Sequence, residues 1–167
     1  MSFTRKIVGN LEFNQEEGEI KHTKTGERLA KFASIFANKI VFLNEKTGIA
    51  IDSTGVKLQR GYNTIIEEQF KHATKVIFRA YSENVSATDA VVEVYLYDLD
   101  AGERIATVTF SGESGVKEAE IGVSDILSRA GHKIMAVVEV TTASGTGGAT
   151  QTFNCIELDV IYDFTKV

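Results

Sequence analysis

The sequence predicts an all-β protein, a β-sandwich or barrel of about 8–10 short antiparallel strands with one or two short helices. Three observations predict it. Apolar and polar residues alternate with period two along most of the chain, as in half-buried strands. Clusters of Gly, Asn, Asp and Ser interrupt that alternation roughly every 8–12 residues. The 167 residues, 43% hydrophobic and 25% charged, suffice for one domain with a full core.

Residues 1–20 are polar and lightly hydrophobic and read as an N-terminal arm or an edge strand; residues 21–167 read as a single β-sandwich domain. Residues 27–38 stay open between two states, because Leu29, Phe32, Ala33 and Phe36 have helical spacing while a strand also fits. Short strands follow at 39–43, 48–52 and 56–58, joined by turns at 44–47 and 53–55. Residues 64–72 are again ambiguous, and 75–81 read as a strand.

From residue 90 the pattern sharpens. Val92, Val94 and Leu96 share one face of 90–98, and Val91, Glu93, Tyr95 and Tyr97 the other. Asp98–Glu103 is a turn and 104–110 a returning strand, so the pair is a β-hairpin. A second turn, 111–115, leads to a short strand at 116–121. Ser124 is placed to cap a short helix, and Gly131 suits the left-handed position after it. In 133–142, Ile134, Ala136, Val138 and Val140 share a face. The Gly/Ser/Thr-rich residues 143–149 read as a mobile connection. On the last strand Ile156, Leu158, Val160, Tyr162 and Phe164 face a core, and Glu157, Asp159 and Asp163 face water.

Composition excludes several functions. Net charge is -5, and nowhere do four basic residues stand together, so nucleic acid is not an expected partner. No apolar run approaches the length of a membrane span. The N-terminal residues lack the apolar core of a secretory signal, and the single cysteine, Cys155, allows no internal disulfide. The expectation is cytoplasmic synthesis, with the virion as the site of residence under the reading below.

Catalytic chemistry finds no convergent motif. Gly112-Glu113-Ser114-Gly115 has the wrong spacing for a nucleophile elbow, and Cys155 has no local group to lower its pKa. His22, His72 and His132 are isolated. Gly145–Gly148 lacks the Lys-Ser/Thr of a phosphate loop. The carboxylates of Glu67, Glu68, Glu93, Glu139, Glu157 and Asp159 read mostly as solvent-facing charges. No enzyme and no cofactor are expected. Asp98, Asp100 and Glu103 are the best acidic cluster for a metal, but Gly102 and Glu103 fall where a calcium loop needs a ligand and a glycine. Turn chemistry explains them as well. Tyr95 and Tyr97, on the face opposite the aliphatic one, are the interface candidates.

The layout of 75–164 resembles jelly-roll β-sandwiches: strand, Asp-rich hairpin at Tyr97–Glu103, strand, short helix at Ser124–Ala130, strand, Gly-rich loop, long final strand. Two groups are similar in this respect, single jelly-roll proteins of virus particles and galactose-binding-like carbohydrate modules. The first implies a structural subunit (capsid, decoration or spike) that self-associates or contacts other structural subunits. The second implies a module that binds glycan or another surface ligand. Tryptophan, the best platform for stacking on sugars, is absent, which favours the first.

Overall fold

The computed structural model describes residues 5–8, 11–14, 19–22, 28–31 and 35–163, with side chains from 38 to 162. Contacts divide the chain into two units, residues 1–37 with 161–167, and residues 38–160.

In the first unit four short strands pair in sequence, each antiparallel to the next. They are β1 (Arg5–Val8), β2 (Leu11–Asn14), β3 (Glu19–His22) and β4 (Arg28–Lys31). Lys6 stands opposite Phe13, and Phe13 opposite Ile20. The sequence-based reading of an arm or edge strand over residues 1–20 covers β1 and β2, whose side chains lie outside the described residues.

The second unit holds the sandwich. The strands of its two sheets, the first and last of which run past the unit's bounds, are β5 (Ile35–Leu43), β6 (Thr47–Ala50), β7 (Lys57–Thr64), β8 (Lys75–Val85), β9 (Val91–Asp98), β10 (Glu103–Ser111), β11 (Gly115–Ile121), β12 (Lys133–Thr142) and β13 (Thr150–Asp163). One sheet has the order β10-β9-β12-β7, the other β11-β8-β13-β5, with β6 also on β13. Within the ambiguous stretch 27–38 the described residues 28–31 and 35–38 are strand, and 64–72 holds a single helical turn, α1 (Glu67–Phe70). The expected helix after residue 122 is α2 (Val123–Leu127). It starts at Gly122 without a side-chain cap, so Ser124 lies inside it, and Gly131 does take the left-handed conformation, φ +87°.

The inward faces follow from the period-two pattern. Val92, Val94 and Leu96 on β9, and Ile134, Ala136, Val138 and Val140 on β12, are fully buried or nearly so. Val76, Phe78 and Ala80 on β8, and Ile156, Leu158 and Val160 on β13, are equally buried. The Phe110 and Phe153 rings, one from each sheet, meet edge to face at 5.4 Å between centroids. On β13 the inward positions switch from odd to even between Phe153 and Ile156, as an extra residue in a strand would cause. Phe153 therefore lies in the core, whereas Glu157, four positions on, does not.

Two glycines let backbones touch. A Cβ on Gly61 of β7 would lie 2.5 Å from Phe42 Cα on β5, so this border of one sheet abuts the border of the other. At Gly112, φ +68°, a Cβ would lie 1.9 Å from the carbonyl oxygen of Thr88. Gly112→Ala must move the loop between β8 and β9 as well as strain the left-handed turn. We expect it to cost about 2 kcal/mol, read as a lower thermal midpoint. An unchanged midpoint would mean that the turn yields freely.

The connection between β12 and β13 is tied down rather than loose. Asp89 accepts hydrogen bonds from the Ser144 hydroxyl (2.6 Å) and the Gly145 amide (2.8 Å), and Asp52 accepts one from the Gly148 amide (2.8 Å). The low-complexity composition suggested mobility because the two anchoring aspartates come from distant loops.

Candidate functional site

The outward face of the β10-β9-β12-β7 sheet carries an apolar cluster where such a sheet would ordinarily turn polar. Pairing register builds it. Tyr95 stands opposite Val137, and Tyr97 opposite Met135. Tyr95, Met135 and Val137 are 5%, 5% and 2% exposed, and Tyr97 packs against them half-buried. The two tyrosine rings meet edge to face, 6.2 Å between centroids.

A charged lid closes over the cluster. Arg104, brought opposite Tyr97 by β10, lays its guanidinium 3.9 Å from the centre of the Tyr95 ring. It pairs with Glu93 at 2.6 Å and Glu139 at 3.0 Å. The Tyr95 hydroxyl donates to Glu139 at 2.9 Å, and Lys57 reaches the other Glu139 oxygen at 3.0 Å. Burial resists ionisation of Glu139, but Lys57, Tyr95 and Arg104 outweigh it and hold the carboxyl below its ordinary range. Burial and the Glu139 charge raise the Tyr95 hydroxyl, which stays a neutral donor. Glu93 and Glu139, read from sequence as simple surface charges, are therefore the partners of Arg104.

The opposite sheet shows a similar device. Glu157 and Asp159 of β13, expected to face water, are only 6% and 5% exposed. The reason is two cations from the flanking strands. Arg79 on β8 contacts Asp159 at 2.7 Å, Glu157 at 3.2 Å and Glu118 at 2.7 Å. Lys39 on β5 contacts Glu157 at 2.5 Å and Asp159 at 3.5 Å. Burial opposes the Glu157 charge, yet Lys39 and Arg79 keep its carboxyl below the usual range. Burial and Glu157 push the neighbouring Cys155 thiol up to about 11, so it is an unreactive thiol at neutral pH.

The hairpin carboxylates do not converge on one point. Asp98 is fully buried at the end of β9. One of its oxygens accepts the Asp100 and Ala101 amides, both at 3.0 Å; the other faces Arg129 Nη1 at 2.9 Å and His132 Nδ1 at 2.8 Å. Asp100 accepts the Lys133 amide at 2.6 Å, and Glu103 pairs with Arg129 at 2.6 Å. Each of the three carboxylates thus has a partner within the protein. Among the described residues no group of three or more His, Cys, Asp or Glu side chains is arranged to hold a metal. Sequence reasoning missed Arg129 and His132 because they approach from a loop some thirty positions away.

No family model and no curated protein matches the chain. Among solved structures the chain is similar to the infectious bursal disease virus VP2 subviral particle. Identity is 11% over 84% of this chain and 36% of that one, with a TM-score of 0.47. It is similar to infectious bursal virus-derived T=1 particles at 12% identity over 95% and 40%, TM-score 0.43. It is also similar to the CBM36-1 domain of a multidomain xylanase from the hindgut metagenome of Trinervitermes trinervoides, at 15% over 72% and 96%, TM-score 0.36. The chain spans well under half the length of the virus-particle chains. Both groups that the sequence resembles are represented, and the sandwich assignment itself rests on the two sheets.

Proposed function

We propose that this chain is a non-enzymatic structural subunit of the virion type, a capsid, decoration or spike component, that works through contacts with its own copies or with other structural subunits. The observation that supports this reading is the outward-facing cluster of Tyr95, Tyr97, Met135 and Val137. Tyr95, Met135 and Val137 are already buried within the chain, and the rim they support presents an aromatic and an arginine, side chains enriched at protein interfaces. Tyr97 and Arg104 are the accessible parts of the cluster, and Tyr95 fixes Arg104 in place. The salt-bridged lid makes the surface rigid before any partner arrives, which lowers the ordering cost of association.

Light scattering across about a hundredfold concentration range tests this. We expect a discrete oligomer whose size saturates. A monomer at the highest concentration overturns contact between copies and leaves only contact with other structural subunits. If that monomer also melts higher in the presence of oligosaccharides, the chain belongs to the carbohydrate-binding alternative.

A further inference from the structure

Border strands are templates for pairing with another chain, and proteins guard them with charges, prolines or bulges. The chain has no proline at all, so charge and shape must do this work. Apart from the four-residue β6, which pairs only with β13, the described sandwich has four border strands, and three of them are guarded. On β7 stand Lys57 and Arg60, and Gly61 is pressed against Phe42. On β11 stand Lys117, Glu118 and Glu120, and on β5 stands Lys39.

The fourth border, β10, is different. It ends its sheet, so about half of its amide and carbonyl groups point away from β9. From Ile105 to Ser111 it reads Ile-Ala-Thr-Val-Thr-Phe-Ser, seven residues without a charge. Its only irregularity lies at the start, between Arg104 and Ala106; from Ala106 to Ser111 the pairing with β9 is regular. Thr107, Thr109 and Ser111 are exposed, while Val108 and Phe110 are buried. Thr107 lies directly opposite Tyr95, so the border continues the outward face described above.

We infer that β10 pairs antiparallel with β10 of a second copy of this chain, joining two sheets across a two-fold axis. This rests on the assembly reading and specifies one of its contacts. The occupant follows from self-complementarity. A two-fold axis at Val108 overlays the whole uncharged stretch on itself. Val108 meets its mate, Ala106 meets Phe110, and each Thr107 meets a Thr109, with no charge opposed to a like charge. The same operation on β11 places Lys117 or Glu118 opposite its own copy, which repels. Of these two borders, only β10 is compatible with its own image.

Two double variants test the pairing in the full chain. Thr107→Lys with Thr109→Lys places lysines opposite lysines across the axis. Thr107→Glu with Thr109→Lys places glutamates opposite lysines, and its new lysine stands beside Glu93 on β9. Both positions are exposed, and melting curves confirm the fold of each variant. We expect the first to weaken self-association by roughly tenfold or more, and the second to keep it near the wild-type value. Equal loss in both variants, or no loss in either, overturns the β10 pairing while an oligomeric wild type upholds assembly through another surface. A wild type that stays monomeric overturns the β10 pairing together with self-assembly of this chain.

Discussion

Leu158→Asp should abolish the cooperatively folded protein. Leu158 is completely buried on β13, a strand paired on both sides within its sheet. Losing its side chain alone costs about 2–5 kcal/mol. The carboxylate that replaces it would sit among Ile156, Val160 and the rest of the apolar core, where the buried residues are hydrophobic. An unpaired buried charge adds several kcal/mol more, or forces the group to stay protonated. The sum rivals the whole stability of a typical domain, about 5–15 kcal/mol. Leu158→Met is the control, with an expected cost under about 1.5 kcal/mol. Circular dichroism during heating distinguishes the two. A Leu158→Asp protein that melts cooperatively near the wild-type temperature would mean that the other face of β13, with Glu157 and Asp159, is the one in the core.

That last pair marks the limit of what alternation can reveal. Period two correctly separates Leu158 from Glu157, because adjacent side chains leave a strand on opposite sides. It cannot tell a solvated face from one roofed by salt bridges. The cations that bury Glu157 and Asp159 arrive from β5 and β8, far away in the chain. Much the same holds for the outward face of β12. The unbroken apolar run Ile134–Val138 signals a strand buried on both sides, and Met135 and Val137 are the evidence for it. The pairing that sets them beside Tyr95 and Tyr97 needed the strand order.

The later sandwich strands, from 75 onward, were legible because they alternate and most are closed by glycine or aspartate turns. Of the earlier ones, the short strands read at 39–43, 48–52 and 56–58 fall on β5, β6 and β7, while the full lengths of β5 and β7 were not legible. Residues 27–38 carry helical spacing, yet 28–31 lie in β4 and 35–38 in β5, since pairing within a sheet overrides a weak local preference. Residues 64–72 hold only one turn of helix, too short to leave a periodic trace. Tyr95 and Tyr97 stood out as interface candidates because their aromatic rings broke the polar expectation of their face, whereas Arg104, which covers Tyr95, looked like an ordinary charge near a hairpin.

The hairpin end supplies the second large effect, and it depends on pH. Asp98 is fully buried and holds four partners: two turn amides, Arg129 and His132. Burial alone would raise its carboxyl; the Ala101 amide, His132 and Arg129 outweigh it and lower it from 3.8 to about 2. The folded value lies below the unfolded one, so the ionised form stabilises the fold. That contribution is complete above about pH 4 and disappears as pH falls toward 2, amounting to about 2 kcal/mol. Asp98→Asn keeps an acceptor for the two amides but turns an NH2 group toward Arg129. Arg129 then retains only Glu103, and the buried end of β9 loses its charge balance. Breaking such a pair costs about 3 kcal/mol, a fall of roughly 6–12 °C in thermal midpoint at neutral pH. Between pH 4 and pH 2 the variant should lose less stability than the wild type, because the group that titrates there is gone. Parallel acid curves for the two proteins would show that other carboxylates govern the acid limb and that Asp98 is not tightly held by Arg129 and His132.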